Sequence, residues 1–230
     1  AKHVFDVSSS VSPDFESGAL SVTYETMGNA PVHYTLDGSV PTEDSPLYEG
    51  SLKIRENAVL SAAAFRNGES SPVTVDEVFF NKATAKPVRL LTAPSGKYSF
   101  DGARMLVDGL KGDIVFGSGR WLGFETEDME AVIDLGSRTS FASVALGVCV
   151  NTADGVFDAR KISVSVSDDG RKFRTVAERE YPQIAQETKE VCRHFISFPE
   201  TTARYVKVKA EAESAVPEWS WLAGIRAFLF

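Results

Sequence analysis

Helical periodicity is nearly absent from this sequence. Apolar residues recur in short alternating or continuous runs bounded by turn residues, at the roughly 8 to 12 residue spacing of all-β sandwiches. The pattern predicts an all-β fold. In the first part, Leu20–Thr26, Pro31–Leu36, Ser51–Ile54, Val59–Phe65 and Val73–Phe80 read as strands. They are punctuated by Gly28-Asn29, Asp37-Gly38, Glu49-Gly50 and Asn67-Gly68, pairs suited to tight turns. The polar stretch Asn81 to Pro87 has no apolar period and reads as a linker, with a boundary near Thr84. Beyond it the apolar runs lengthen: Met129–Leu135, Ser140–Val150, Lys161–Ser167, Val191–Phe198, Arg204–Ala210 and Gly224–Phe230. Long polar or aromatic loops lie between them. The expected architecture is an immunoglobulin-like sandwich over residues 1–84 followed by a jelly-roll sandwich over 85–230.

Size and charge narrow the function. At roughly 150 residues per domain, 230 residues allow one large or two modest domains. Lys plus Arg number 24 against 32 Asp plus Glu, a net charge of −8 that repels phosphate backbones. Neither nucleic acid nor an anionic membrane is expected as a partner. No run approaches the roughly 18 apolar residues of a membrane helix, and Ala1-Lys2-His3-Val4-Phe5-Asp6 lacks signal-peptide architecture, which reads as a mature protein or an excised piece. Cys149 and Cys192 are able to form one bridge, but they do not make a disulfide scaffold. The preferred reading is two buried free thiols, because Cys149 lies in an apolar run.

Specific strings add a family resemblance. Tyr34-Thr35-Leu36-Asp37-Gly38-Ser39-Val40-Pro41-Thr42, followed by Ser45-Pro46-Leu47-Tyr48, resembles the chitobiase-type C-terminal module, a small immunoglobulin-like domain behind the catalytic barrel of secreted glycosidases. The second part resembles the discoidin, or coagulation-factor V/VIII C-type, galactose-binding-like jelly roll, in the version appended to family 20 β-N-acetylhexosaminidases of Bacteroidetes-like bacteria. Leu106-Val107-Asp108-Gly109, Gly119 to Phe124, Met129 to Gly136, Val164 to Gly170, Arg204 to Val208 and Phe228-Leu229-Phe230 carry that likeness. It departs at Gly155, where related modules often carry Trp. Together the resemblances imply the non-catalytic tail of a larger, secreted or periplasmic hexosaminidase-like polypeptide. The catalytic domain of that polypeptide would be one partner.

The residues give no sign of chemistry of their own. Asp76-Glu77 and Glu43-Asp44 are adjacent acids, but Val75-Asp76-Glu77-Val78 lacks the His-Gly-Gly that precedes the acid pair in family 20, and both pairs read as solvated surface. The three histidines, His3, His33 and His194, have no nucleophile elbow or zinc-ligand spacing beside them. His33 and His194 lie in strand-like runs and read as hydrogen-bonded structural residues.

Binding is a different matter. A shallow sugar site needs an aromatic face for the C–H side of the ring and planar donors and acceptors for its hydroxyls. Trp219 and Trp221, with Glu218 and Arg226 nearby, form one candidate cluster; Phe157, Asp158 and Arg160 form a second. Trp121 beside Arg120 is a third, at a position the resemblance implies is structural. The expected ligand is an N-acetylhexosamine or galactose-type glycan. The competing expectation is that these aromatics pack beneath their loops and the chain is a brace docked on the catalytic domain or a partner subunit. Exposure of Trp219 or Trp221 beside Arg160 separates the two. The resemblance also implies a structural calcium, with Asp108, the Leu106 carbonyl and Asp113 or Ser118 supplying oxygens to an ion that needs six to eight. The plain alternative is an Asp-Gly turn that caps its own backbone.

Overall fold

The computed structural model describes residues 5–182, 184–212 and 227–229. Two compact units emerge. The first runs to Ala85 and takes in Asp108–Leu110; the second comprises Lys86–Val107 and the chain from Lys111 onward.

Within the first unit, β1 (Val7–Asp14), β2 (Ala19–Thr26) and β4 (Leu52–Ile54) form one antiparallel sheet. A second sheet joins β3 (Val32–Thr35), β5 (Ala58–Arg66), β6 (Glu69–Ser70) and β7 (Thr74–Val78). Leu20, Val22 and Tyr24 from the first sheet meet Val32, Leu60, Ala62, Ala64 and Val78 from the second in one core. Every second side chain of a strand faces the same way, which puts Leu60, Ala62 and Ala64 on one face of β5, while Ser61 and Ala63 on its other face are buried as well. The turn between β5 and β6 places Asn67 at φ 52° and Gly68 at φ 78°. Both central residues are therefore left-handed, the conformation that an Asn-Gly hairpin favours.

The second unit is built on two strands of 23 residues each, β10 (Met129–Asn151) and β13 (Lys189–Glu211), paired antiparallel along their length. β8 (Val88–Leu90), β11 (Lys161–Ser167) and β12 (Arg174–Glu180) extend one half of this ribbon; β9 (Gly123–Glu125) and β14 (Ala227–Leu229) extend the other. The register slips between Asp134 and Thr139 and again between Phe141 and Ser143. Extra residues at such bulges bend a strand, so one strand serves both halves of a folded sheet. The facing residues show the slip directly. Met129 and Ala131 point into the core before it, and Val148 and Val150 after it.

Asp134 and Arg204 hold the bend. Arg204 Nε and Nη2 donate to the two Asp134 carboxylate oxygens, each at 2.8 Å, and the Gly136 N–H donates to Oδ1 at 2.8 Å. Gly136 has φ 85°, a conformation that a side chain would strain. The hydrogen-bonded Arg204 guanidinium keeps the Asp134 carboxyl below the usual carboxylate range, with burial opposing it. No helix among the described residues is long and apolar enough to cross a membrane.

Candidate functional site

One polar cluster of the second unit lies where the chain leaves β10 and enters β11. Asn151 and Val156 exchange backbone hydrogen bonds of 2.9 and 3.0 Å, closing a short turn over Thr152–Asp154. From there Phe157, Asp158, Ala159 and Arg160 alternate in direction, as an extended segment must. Phe157 and Ala159 are each 1% exposed and belong to the hydrophobic core. Phe157 is thus a core residue and offers no ring to a sugar. The sequence placed it in a loop beside charges, and that expectation is corrected by the strand-like alternation, which turns the odd-numbered side chains inward.

Asp158 is largely enclosed as well. Its Oδ1 accepts the Nε2–H of His194 on β13 at 2.7 Å, with the two side chains 10% and 12% exposed. The Tyr181 ring lies 4.0 Å from the His194 ring, centroid to centroid, at 45°. Tyr181 is in turn tied to Arg160: its N–H donates to the Arg160 carbonyl at 2.9 Å, and Arg160 Nη1 donates back to the Tyr181 carbonyl. Tyr181 Oη is buried and has no hydrogen-bond partner among the described residues. Burial raises the Tyr181 hydroxyl above its ordinary range; Arg179 opposes the shift and Asp158 adds to it.

Asp158 and Arg160 are therefore brought together, but within an inward-facing network that also includes His194 and Tyr181. Sequence reading marked His194 only as a hydrogen-bonded strand residue. Its partner lies 36 positions away, and no local pattern announces that pairing.

An imidazole fixed by a carboxylate is half of a nucleophile-activating arrangement. Cys192 is a nearby thiol, two residues from His194 on the same strand. Its pKa is pushed up to about 12, first by burial and then by Asp158 and Glu190. A thiol so shifted stays protonated and is a poor nucleophile. Cys149 is raised to about 11, chiefly by burial. Both are free thiols. The register explains why they do not pair: Cys192 lies opposite Val148, and Cys149 opposite Val191. Neighbouring positions on a strand point to opposite faces. Cys192 joins the main core and Cys149 a separate cluster with Tyr98, Trp121 and Val156.

Trp121 is structural. It is 3% exposed, and its Nε1–H donates to the Asp113 carbonyl at 2.8 Å. Gly112 passes so close that a Cβ there would stand 2.2 Å from the indole. Trp219 and Trp221, with Glu218 and Arg226, lie outside the described residues.

The two carboxylates expected for calcium are each engaged locally. Asp108 Oδ1 accepts the Leu110 N–H, and Asp113 Oδ1 the Val115 N–H, both at 2.8 Å. These are self-capping turns. Leu106 packs its side chain against the core of the second unit. Among the described residues no three His, Cys, Asp or Glu side chains converge as a metal site. Two turn carboxylates alone are far from the oxygen count that calcium requires, so backbone carbonyls and water would have to complete the set.

The F5/8 type C domain model matches residues 68–224. The chain belongs to the F5/8 type C family. A second model, described as Fn3 associated, matches residues 22–78 of the first unit. The F5/8 type C match thus begins inside the first unit, whereas the jelly roll as a compact body starts at Lys86. No curated protein matches this F5/8 type C chain. Among solved structures, a chitosan-binding module of a chitosanase/glucanase from Paenibacillus sp. IK-5 is 15% identical, covers 65% of this chain and 98% of that one, and has a TM-score of 0.39. A Clostridium perfringens CBM32 module in complex with GalNAc-β-1,3-galactose is 15% identical over 63% of this chain and 94% of that chain, with a TM-score of 0.39. A Streptococcus pneumoniae fucose binding module is 18% identical over 72% and 98%, also at 0.39.

Proposed function

We propose that this F5/8 type C chain is a non-catalytic accessory region that binds carbohydrate weakly through the jelly-roll loops beside Arg160. Family membership over residues 68–224 is the observation that carries the reading. The Tyr181 carbonyl supplies a preorganised support for the Arg160 guanidinium. Trp219 and Trp221 are the aromatic partners in this proposal. The parent polypeptide is a family 20 β-N-acetylhexosaminidase acting outside the cytoplasm. Sugar binding at a tethered module raises the local substrate concentration seen by a catalytic domain and adds nothing to the chemistry. A structural calcium held by Asp108, Leu106 and Asp113 belongs to the same proposal.

One observation favours a second reading, a brace docked on the catalytic domain. Phe157 is in the core, and Asp158 and His194 are nearly enclosed, so these side chains work inward. Isothermal titration decides between the two. The ligands are N-acetylglucosamine, N-acetylgalactosamine, galactose, fucose and their short oligomers, with calcium and then with chelator. Saturable heat that falls at least about tenfold in affinity in Arg160→Ala, Trp219→Ala or Trp221→Ala is expected. Absence of heat with every sugar at millimolar concentration would sink the binding reading and leave the brace. Unchanged binding and melting temperature in chelator would sink the calcium.

A further inference from the structure

We propose that the hairpin between β11 and β12 carries a second binding site, selective for an anionic saccharide unit, a uronate or a sulfated sugar. It lies at the end of β11 away from Arg160 and stands whether or not the Arg160 loops bind sugar.

The hairpin is held by its own hydrogen bonds. Asp169 Oδ1 accepts the N–H groups of Arg171 and Lys172, each at 2.8 Å, and the Ser167 hydroxyl at 2.8 Å. Ser167 Oγ in turn accepts the N–H groups of Asp169 at 3.2 Å and Gly170 at 3.0 Å. Gly170 has φ +68°, and a Cβ there would stand 3.2 Å from the Tyr205 ring. The turn is thus closed over an aromatic backing, and its acidic oxygen is spent internally. These backbone donors hold the Asp169 carboxyl down at about 2, so it remains an acceptor for the turn at any physiological pH.

Beside this turn lies a cavity of about 270 Å³. That is just under the roughly 300–1,000 Å³ of small-molecule clefts, a size for one sugar ring rather than an oligomer. Val166 and Ala203, both 2% exposed, give it apolar lining, and Phe173 contributes an aromatic side chain. The Lys207 ammonium lies 5.3 Å from the Phe173 centroid and is paired with Glu130 at 2.9 Å. Lys172 and Arg174 line the same cavity and are exposed, and the Lys172 charge acts on the neighbouring Asp169. Asp168, the acid in the lining, is matched by Arg138 at 3.2 Å.

The polar inventory selects the ligand. A neutral sugar needs acceptors as well as donors for its hydroxyls. Here Asp169 Oδ1 and the Ser167 hydroxyl serve the turn and Asp168 faces a guanidinium, while Lys172, beside Asp169, and Arg174 add two exposed cations to the lining in a chain of net charge −8. Arg and Lys at such spacing favour a carboxylate or sulfate, and the aromatic ring suits the C–H face of the sugar that bears it. A bare anion would use the cations and leave the ring idle.

The test is titration of the whole chain, followed by amide chemical shifts. The probes are glucuronic acid and N-acetylglucosamine 6-sulfate, against N-acetylglucosamine and inorganic sulfate. Saturable binding of an acidic sugar is expected, with shifts centred on residues 167–174 and weakening as salt rises. Lys172→Ala and Arg174→Ala are each expected to cost about tenfold in affinity. Both side chains are exposed, so the variants fold. Arg160→Ala leaves this binding intact, which separates its failure from that of the first site. No shift in 167–174 at millimolar acidic sugar, inorganic sulfate binding as tightly as the sugars, or an equal loss in Arg160→Ala would each overturn the proposal.

Discussion

The two ends of β11 treat charge in opposite ways. Before the strand, Asp158 is enclosed with His194, and the Arg160 guanidinium is tied to the Tyr181 carbonyl. After it, about 23 Å away for seven residues at 3.3 Å each, Lys172 and Arg174 stand exposed beside a stiff turn. Both ends are ordered by hydrogen bonds; the first encloses Asp158 and ties Arg160 to a carbonyl, whereas the second spends Ser167 and Asp169 on its turn and leaves Lys172 and Arg174 exposed. Polar groups taken out of water must be paired internally, whereas exposed ones keep their solvation and remain available to a ligand. The contrast teaches that a cluster of charge and aromatics in a sequence has two possible meanings. Burial chooses between them.

Three measurements press on this contrast. The largest effect belongs to Phe157→Ala, expected to lower stability by about 3–5 kcal/mol in denaturant unfolding, because a fully buried ring leaves a cavity. If that variant instead kept its stability and lost sugar binding, the inward reading of the first end would fail. Asp158→Ala comes next, at about 1–3 kcal/mol, since it strands the His194 N–H in a nearly enclosed setting. An unchanged midpoint would mean that water reaches His194 freely.

The smallest effect concerns Asp134→Asn, near the hairpin end. Asp134 has a folded pKa below its unfolded value, so the unfolded state binds more protons and stability rises with pH. The native protein is therefore expected to exceed the variant in melting temperature by a few degrees at neutral pH. That gap is present above the ordinary carboxylate pKa of about 3.9 and closes as pH falls through the lower folded value. A gap independent of pH would show that the bend depends on shape and not on the carboxylate–guanidinium pair.

Much of the scaffold was legible. The alternation of Lys161–Ser167 marks β11 at its observed limits, and the all-β character follows from the same period. Elsewhere the signal misled for identifiable reasons. β10 and β13 each read as two strands, because the bend around Gly136 and the polar residues at Pro199–Thr202 look like turns from sequence. In the structure they are irregularities inside continuous pairing. β1 went unread because its serines mask the alternation, and β12 because it is a polar strand with one neighbour, β11. Of the Asp158–His194–Tyr181–Arg160 network, Asp158 and Arg160 stand together in the sequence as one candidate cluster, while His194 and Tyr181 are not linked to them by any local pattern.

Local sequence carries whatever depends on neighbours along the chain. It set the strand period, the Asn67-Gly68 hairpin turn and the Asx turns of Asp108, Asp113 and Asp169, since each needs only a few consecutive residues. Tertiary structure decided the rest: that Phe157 faces inward, that Asp158 meets His194, and that Cys149 and Cys192 face apart. Those outcomes depend on the register between β10 and β13, where a slip of one residue would turn every side chain to the other face. Register is a property of two strands packed on a shared core, and it exists only once the chain has folded.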